Sequence, residues 1–353
     1  MNFGSDNLLG ASAPVMEALL KANQGALDGY GADVITRRVE QQLCDLFERN
    51  LKAFLVTTGT AANALSLAAA VQPWGMAVSH SEAHVQGDEC GAPEFFMHGG
   101  KLVGLPGVAG KMQAGALETY LASLPRAIKQ MPPQAVTLSQ LTEAGTAYSV
   151  EEINAIWQVC RRCSLTLHMD GARFANALVA LGCSPAEMTW KNGVDILSFG
   201  ASKNGCLAAE AVIIFKEELV QKVEYMRKRS GHTLSKGRLL AAQFEGYLAD
   251  GHWLDNARHA NDMAAKLHAG LAGIPGVRFP WPVQANEAFP IIPLRMEKAL
   301  REAGAGFFHW QTESLPSGEE AGKDEVLVRL VTSFATRPEE VTRFVDVARS
   351  AAS

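Results

Sequence analysis

Lys203 lies in Ser198-Phe199-Gly200-Ala201-Ser202-Lys203-Asn204-Gly205, a lysine among small residues after an apolar run. Desolvation disfavours its ammonium form, and a neutral amine can attack an aldehyde. The plainer alternative is a surface lysine beside a glycine turn. Asp170 closes Leu167-His168-Met169-Asp170-Gly171-Ala172-Arg173. A carboxylate at the end of a buried strand can keep a pyridine nitrogen protonated and make the ring an electron sink. It can also simply cap the following turn. Thr57-Thr58-Gly59-Thr60-Ala61-Ala62-Asn63 joins an apolar run to an Ala/Leu helix, and the amides of such a turn suit a phosphate. It lacks the Gly-Lys-Ser/Thr ending of a P-loop. His84 could stack on a ring or be ordinary polar packing. Arg329, inside Leu327-Val328-Arg329-Leu330-Val331, could clamp a carboxylate through two bonds or turn outward along its stem.

These residues need strand ends to hold them. Residues 53–56, 135–138, 164–169, 195–199 and 211–215 read as short buried strands. Helical spacing covers 34–50, 61–70 and a stretch after Ser149, whose acidic first turn marks a capped start. The alternation predicts an α/β fold with a mostly parallel sheet covered on both faces. Ligands in such sheets gather beyond the carboxyl ends of the strands. Residues 239–268 read as a long helical stretch broken near Asp250-Gly251, and 326–331 as a strand. The expected division is an arm over 1–14, a large domain over 15–247 and a small α+β domain over 248–353.

Composition narrows the class. The chain has 353 residues, 48% hydrophobic and 20% charged, with a net charge of -5. That balance predicts a soluble protein with no clustered basic excess for nucleic acid. No secretory leader or membrane span is expected, and the predicted location is the cytoplasm. Six scattered cysteines suggest reduced thiols. Cys160 and Cys163 have metal-like spacing but no second pair, so one thiol in the core, one at its margin and no metal are expected.

Taken in order, these features resemble the pyridoxal 5′-phosphate enzymes of fold type I. Within them the chain is similar to the threonine aldolase branch, specifically its bacterial low-specificity L-type members. The resemblance runs from Phe3-Gly4-Ser5-Asp6-Asn7 through Gly59-Thr60-Ala61-Ala62-Asn63, Asp88-Glu89-Cys90-Gly91-Ala92-Pro93-Glu94-Phe95-Phe96, His168 to Arg173 and Ser202-Lys203-Asn204-Gly205 to Arg329. It implies an aspartate-aminotransferase-like large domain and a smaller C-terminal domain. It implies Lys203 as the Schiff-base lysine, Asp170 on the pyridine nitrogen and His84 stacked on the ring. Gly59, Thr60 and Ser202 fall where the family binds phosphate. Arg173 and Arg329 match arginines near the cofactor oxygen and the substrate carboxylate, and Ser5 a serine at that carboxylate. Tyr30 and Asp33 match a loop that reaches a partner subunit's site, and Lys236 a group approaching phosphate across the interface. A homodimer or homotetramer follows.

One departure stands out. Another branch carries a histidine in the loop after the central strand, whereas here that loop reads Leu138-Ser139-Gln140-Leu141-Thr142-Glu143-Ala144-Gly145-Thr146-Ala147-Tyr148. The expected reaction is reversible cleavage of L-threonine, L-allo-threonine and related β-hydroxy-α-amino acids to glycine and an aldehyde. Pinning the carboxylate selects the bond that breaks. The base that takes the hydroxyl proton is His84 or a water it orients. Phenylserine cleavage, β-elimination and transamination are the rival reactions, and a non-catalytic binding protein the remaining one.

Overall fold

Seven strands make the principal sheet: β1 (Lys52–Val56), β2 (Met76–His80), β3 (Lys101–Leu105), β4 (Pro133–Ser139), β5 (Thr166–Gly171), β6 (Ile196–Gly200) and β7 (Glu210–Ile214). The computed structural model describes all residues except 126, 313, 314 and 353. The sheet order is β1-β7-β6-β5-β4-β2-β3. Only β7 runs against the rest, pairing antiparallel with both β1 and β6. Its first residue, Glu210, therefore sits at the edge where β1, β5 and β6 end. It lies opposite Val56 and Gly200. Five strands match the apolar runs of the sequence. The other two, β2 and β3, did not stand out. A Pro73-Gly75 turn precedes β2, and β3 is an edge strand whose buried positions are interrupted by exposed Lys101 and Gly104.

Alternate residues of a strand face opposite sides. Leu167, Met169, Leu197 and Phe199 join the larger core. There the ring of Phe199 meets Phe47, Phe174, Phe244 and Trp253. Burying one such side chain contributes about 1.5–3 kcal/mol. The opposite face carries Ile196 against Ala61, Ala62 and Leu65 of the helix Gly59–Ala70. Small side chains let this helix lie close to the sheet. A leucine at the fully buried Ala62 would overpack it, at a cost of about 1–3 kcal/mol.

The helix Val34–Leu46 stops short of the expected Asn50, because Glu48 turns into the left-handed region (φ 55°). Val150–Arg162 has the expected cap: Ser149 and Glu152 bond each other's backbone amides. Cys160 on that helix is buried and Cys163 exposed. The break near Asp250 is real, with left-handed Asp250 and Gly251 separating Arg238–Leu248 from His252–Leu271.

That last helix spans two cores. Trp253 and Ala257 belong to the larger, and Met263, Leu267 and Leu271 to a second one. The second core lies under β8 (Glu287–Ala288), β9 (Ile291–Pro293), β10 (Phe308–His309) and β11 (Glu325–Val331), with β11 antiparallel to the other three. The N-terminal strand-like stretch joins this side. Phe3 is fully buried, its amide donates to Gly306 O (2.8 Å) and its carbonyl accepts from the Val331 amide (2.8 Å). Among the described residues no helix is long and apolar enough to cross a membrane.

Candidate active site

Lys203 sits in a 3₁₀ turn, Ser202–Asn204, just beyond the end of β6. Asn204 anchors the turn, donating from Nδ2 to Tyr247 Oη (2.9 Å) and the Trp253 carbonyl (2.8 Å). Gly200 lets β6 pass the loop after β5, since a Cβ there would lie 2.6 Å from the Ala172 carbonyl oxygen. The turn borders a cavity of about 410 Å³. Gly59, Thr60, His84, Asp170, Ser202 and Lys203 line it, as the sequence pattern anticipated for one site. So do Asn63, Glu143 and Glu210, to which the sequence reading assigned no role.

The helix Gly59–Ala70 opens onto this cavity. Thr58 caps it by accepting the Ala61 amide (3.1 Å). The amides of Gly59 and Thr60 in its first turn then have no acceptor among the described residues, which leaves donors and a positive dipole end for an anion. Across the cavity, Asp170 accepts from Asn63 Nδ2 (2.8 Å) and from the Ala172 amide (3.0 Å). The same Asn63 nitrogen donates to Glu89 Oε1 (2.8 Å), which also pairs with His84 Nδ1 (2.9 Å). Four side chains from three parts of the chain thus form one network, buried except at half-exposed His84. Its hydrogen bond to Glu89 raises the His84 pKa, against the opposing effect of burial, and so favours the imidazolium. Burial raises Glu89 in turn. Asn63 was discoverable: it is a buried amide in an otherwise mostly Ala/Leu helix.

Beneath Asp170, His168 is fully buried, bonded at Nδ1 to Thr137 Oγ1 (2.7 Å) and at Nε2 to Ser198 Oγ (2.9 Å). Burial lowers its pKa to about 4, so the ring is neutral. Burial also pushes Glu210 up to about 7, opposed by its bond from Ser202 and by the charge of Lys203.

A second cluster holds the arginines. Arg173 donates from Nε and a terminal nitrogen to the two oxygens of Asp6 (2.8 and 2.9 Å) and stands 3.4 Å from Glu287. The 3.4 Å approach to Glu287 is an ion pair rather than a hydrogen bond, and both Glu287 oxygens are buried without a hydrogen-bond partner. Burial raises Glu287 to about 7, opposed chiefly by Arg173. Burial raises Asp6 too, but Arg173 outweighs it and leaves Asp6 below the usual carboxylate range. Arg329 lies over Trp310 (4.5 Å to the ring centre) and reaches the Gly4 carbonyl (3.4 Å). Its Nε is buried and unpartnered. Ser5 accepts the Asn7 amide (3.1 Å) at the start of a short 3₁₀ turn. Arg173, Arg329 and Ser5 are not among the residues lining the 410 Å³ cavity.

Tyr30, Asp33 and Lys236 are also absent from that lining. They meet each other's segments instead, the Tyr30 amide donating to the Ser235 carbonyl (3.0 Å). Tyr30 is 60% exposed. Asp33 is buried, accepting from the Thr36 amide and hydroxyl (2.8 Å each) as the cap of Val34–Leu46.

A mostly parallel seven-stranded sheet with one reversed strand, a lysine turn at its carboxyl edge and a small antiparallel sheet behind is the α/β architecture of fold type I. The chain belongs to the Beta-eliminating lyase family, which it matches over residues 2–292. It is 41% identical to a low specificity L-threonine aldolase of Pseudomonas sp. (strain NCIMB 10558), over 87% of this chain and 88% of that one. The corresponding Pseudomonas aeruginosa protein is 42% identical over the same shares. A threonine aldolase structure from Leishmania major superposes with a TM-score of 0.92 at 29% identity, covering 100% of this chain and 99% of that one. The chain is an enzyme of the lyase class.

Proposed function

We propose that this chain cleaves L-threonine, L-allo-threonine and related β-hydroxy-α-amino acids to glycine and an aldehyde, using pyridoxal 5′-phosphate. The observation that carries the reading is one cavity onto which Lys203, Asp170, His84 and the Gly59–Ala70 helix start all open. The relatives' activity points the same way.

The donor set fits the cofactor. The Gly59 and Thr60 amides and the Ser202 hydroxyl suit its phosphate, and Lys203 Nζ its aldehyde carbon. Asn63 and the Ala172 amide hold the Asp170 carboxylate for the ring nitrogen. His84, on the cavity lining, would cover the ring. Burial raises Glu210, which favours its neutral form beside the Ser202 hydroxyl that would meet the phosphate. When bound, the cofactor supplies an electron sink for the pair left on Cα. Arg329, with its unpartnered Nε, and Arg173 orient the substrate carboxylate, and Ser5 adds a hydroxyl beside them. That clamp sets which bond at Cα stands ready to break.

The test is direct. Adding pyridoxal 5′-phosphate to the apoprotein should develop yellow absorbance, and L-threonine should then give acetaldehyde and glycine. A keto acid formed from serine or threonine would instead show β-elimination, the reading that the family's name favours. A new amino acid formed from an added keto acid would show transamination. Rates on L-phenylserine and L-allo-threonine would set the aldehyde range.

The same reading makes the protein a cytoplasmic homodimer or homotetramer, with an arm over 1–14, a cofactor domain over 15–247 and a small domain over 248–353. Tyr30, Asp33 and Lys236 then face a partner's cavity. Support comes from their joint position away from their own cavity, and from exposed Leu8, Leu9, Met16 and Leu20 nearby in sequence. Light scattering on the eluted protein gives the subunit number.

A further inference from the structure

We infer that Glu143 is the catalytic base that takes the proton from the β-hydroxyl of the substrate. This rests on the aldolase reading above and assigns a residue that the sequence pattern left without a role.

Glu143 lines the cavity together with His84, Asp170 and Lys203. It belongs to the loop after β4, and that loop is held on both sides of it. Thr142 and Thr146 both donate to the Ala109 carbonyl (3.1 and 2.7 Å), and Trp281 Nε1 donates to the Ala144 carbonyl (2.8 Å). The Gln140 amide donates to the Asp170 carbonyl (2.7 Å), tying the loop to the strand that carries the ring-end carboxylate. Gly145, with φ +69°, makes the turn that a side chain would strain, and a Cβ there would lie 2.8 Å from Glu287 Cβ. The backbone on either side of Glu143 is therefore fixed, while its carboxylate makes no hydrogen bond or ion pair among the described residues. That residue borders the cavity.

Its charge is felt at His84 on one side and at Arg173 and Glu287 on the other. Glu143 is thus near both the cavity lining and the arginine cluster. A substrate whose amine met Lys203 and whose carboxylate met the arginines would pass beside it. The competing base is His84: its Nδ1 is held by Glu89 and its Nε2 has no hydrogen-bond partner among the described residues, so an unchanged ratio in the test below returns the role to it.

The step balances. The hydroxyl proton moves to Glu143, the O–H electron pair becomes the second C–O bond of the aldehyde, and the Cα–Cβ bond breaks with its pair passing to the electron sink. The proton given up by oxygen is matched by the one that Cα regains, so threonine becomes acetaldehyde and glycine with nothing consumed.

The experiment compares holoenzyme of wild type and Glu143→Gln by two rates in each preparation. One is acetaldehyde release from L-threonine. The other is exchange of the glycine α-proton with D₂O, followed by NMR, which involves no β-hydroxyl. Loss of a general base lowers the first rate by about 10²–10⁴-fold. The exchange rate should stay within about threefold, and Glu143→Asp should recover part of the cleavage. The ratio of the two rates cancels any loss of folded protein. An unchanged ratio in Glu143→Gln overturns the assignment. If wild type exchanges glycine but releases no acetaldehyde, the aldolase reading itself fails, a result separate from an active wild type matched by its Gln variant.

Discussion

The two clusters beside the cavity handle buried charge in different ways. Around Asp170, neutral donors do the holding: one amide of Asn63 serves both Asp170 and Glu89, and the Ala172 backbone completes the set. Around Arg173, charge answers charge, through Asp6 at 2.8 and 2.9 Å and Glu287 at 3.4 Å. Neutral donors hold the Asp170 carboxylate at the cavity without adding charge. The arginine cluster balances differently. Two guanidiniums, Arg173 and Arg329, face Asp6 and a Glu287 whose pKa lies near 7. The Glu143 charge is also felt at this cluster, at both Arg173 and Glu287. The Arg329 Nε is buried without a hydrogen-bond partner among the described residues.

Four measurements would break or sharpen this contrast. The largest effect belongs to Lys203→Ala, which should lower threonine cleavage by about 10³-fold or more, as removal of a covalent group does. Wild-type rates in that variant would end the proposed function. Next is Asp6→Asn, which leaves the buried Arg173 with a weaker partner. Denaturant unfolding should show a loss of roughly 3–5 kcal/mol, the cost of breaking a buried pair. The loss should be smaller at pH 8, where Glu287 ionises and replaces the missing charge, than at pH 6. Equal losses at both pH values would deny Glu287 its compensating role.

The third concerns His168. Its folded pKa near 4 lies below the ordinary 6.5, so the unfolded chain binds the proton first. Stability is whole above pH 6.5 and falls as the pH drops toward 4, by about 3 kcal/mol from this group. Unfolding curves at pH 7.5 and 4.5 for wild type and His168→Asn should differ in pH dependence by about 2.5 kcal/mol; parallel curves would refute it. The smallest effect is expected from Asn63→Ala. Removing the shared donor should cost roughly 1–3 kcal/mol of stability. It should also weaken pyridoxal 5′-phosphate binding, read by absorbance titration, because Asp170 loses its side-chain partner. Unaltered cofactor affinity would make Asn63 purely structural.

Much of this site was legible in one dimension. Asp170 ends an apolar strand, Lys203 follows another among small residues, and Thr58 caps a helix in the way short hydroxyl residues do. Local rules govern each of those features, so sequence reports them. Other parts were not legible. Glu210 enters the cavity because β7 alone runs backwards, placing a strand's beginning where its neighbours end. Nothing in residues 210–214 announces that direction.

By itself the sequence determined which chemical groups are available and on which kind of element each stands: an amine after β6, a carboxylate closing β5, free amides opening the Gly59–Ala70 helix. Only the tertiary structure decided the partners. Asp6 meets Arg173 from the far end of the chain, Asn63 joins Glu89 to Asp170, His84 pairs with Glu89, and Glu143 lines the cavity with no hydrogen bond among the described residues. The physical reason is that hydrogen bonds and burial act over a few ångströms of space, whatever the separation along the chain. Charge state follows from those contacts, so whether a carboxyl or imidazole is ionised is a property of the fold.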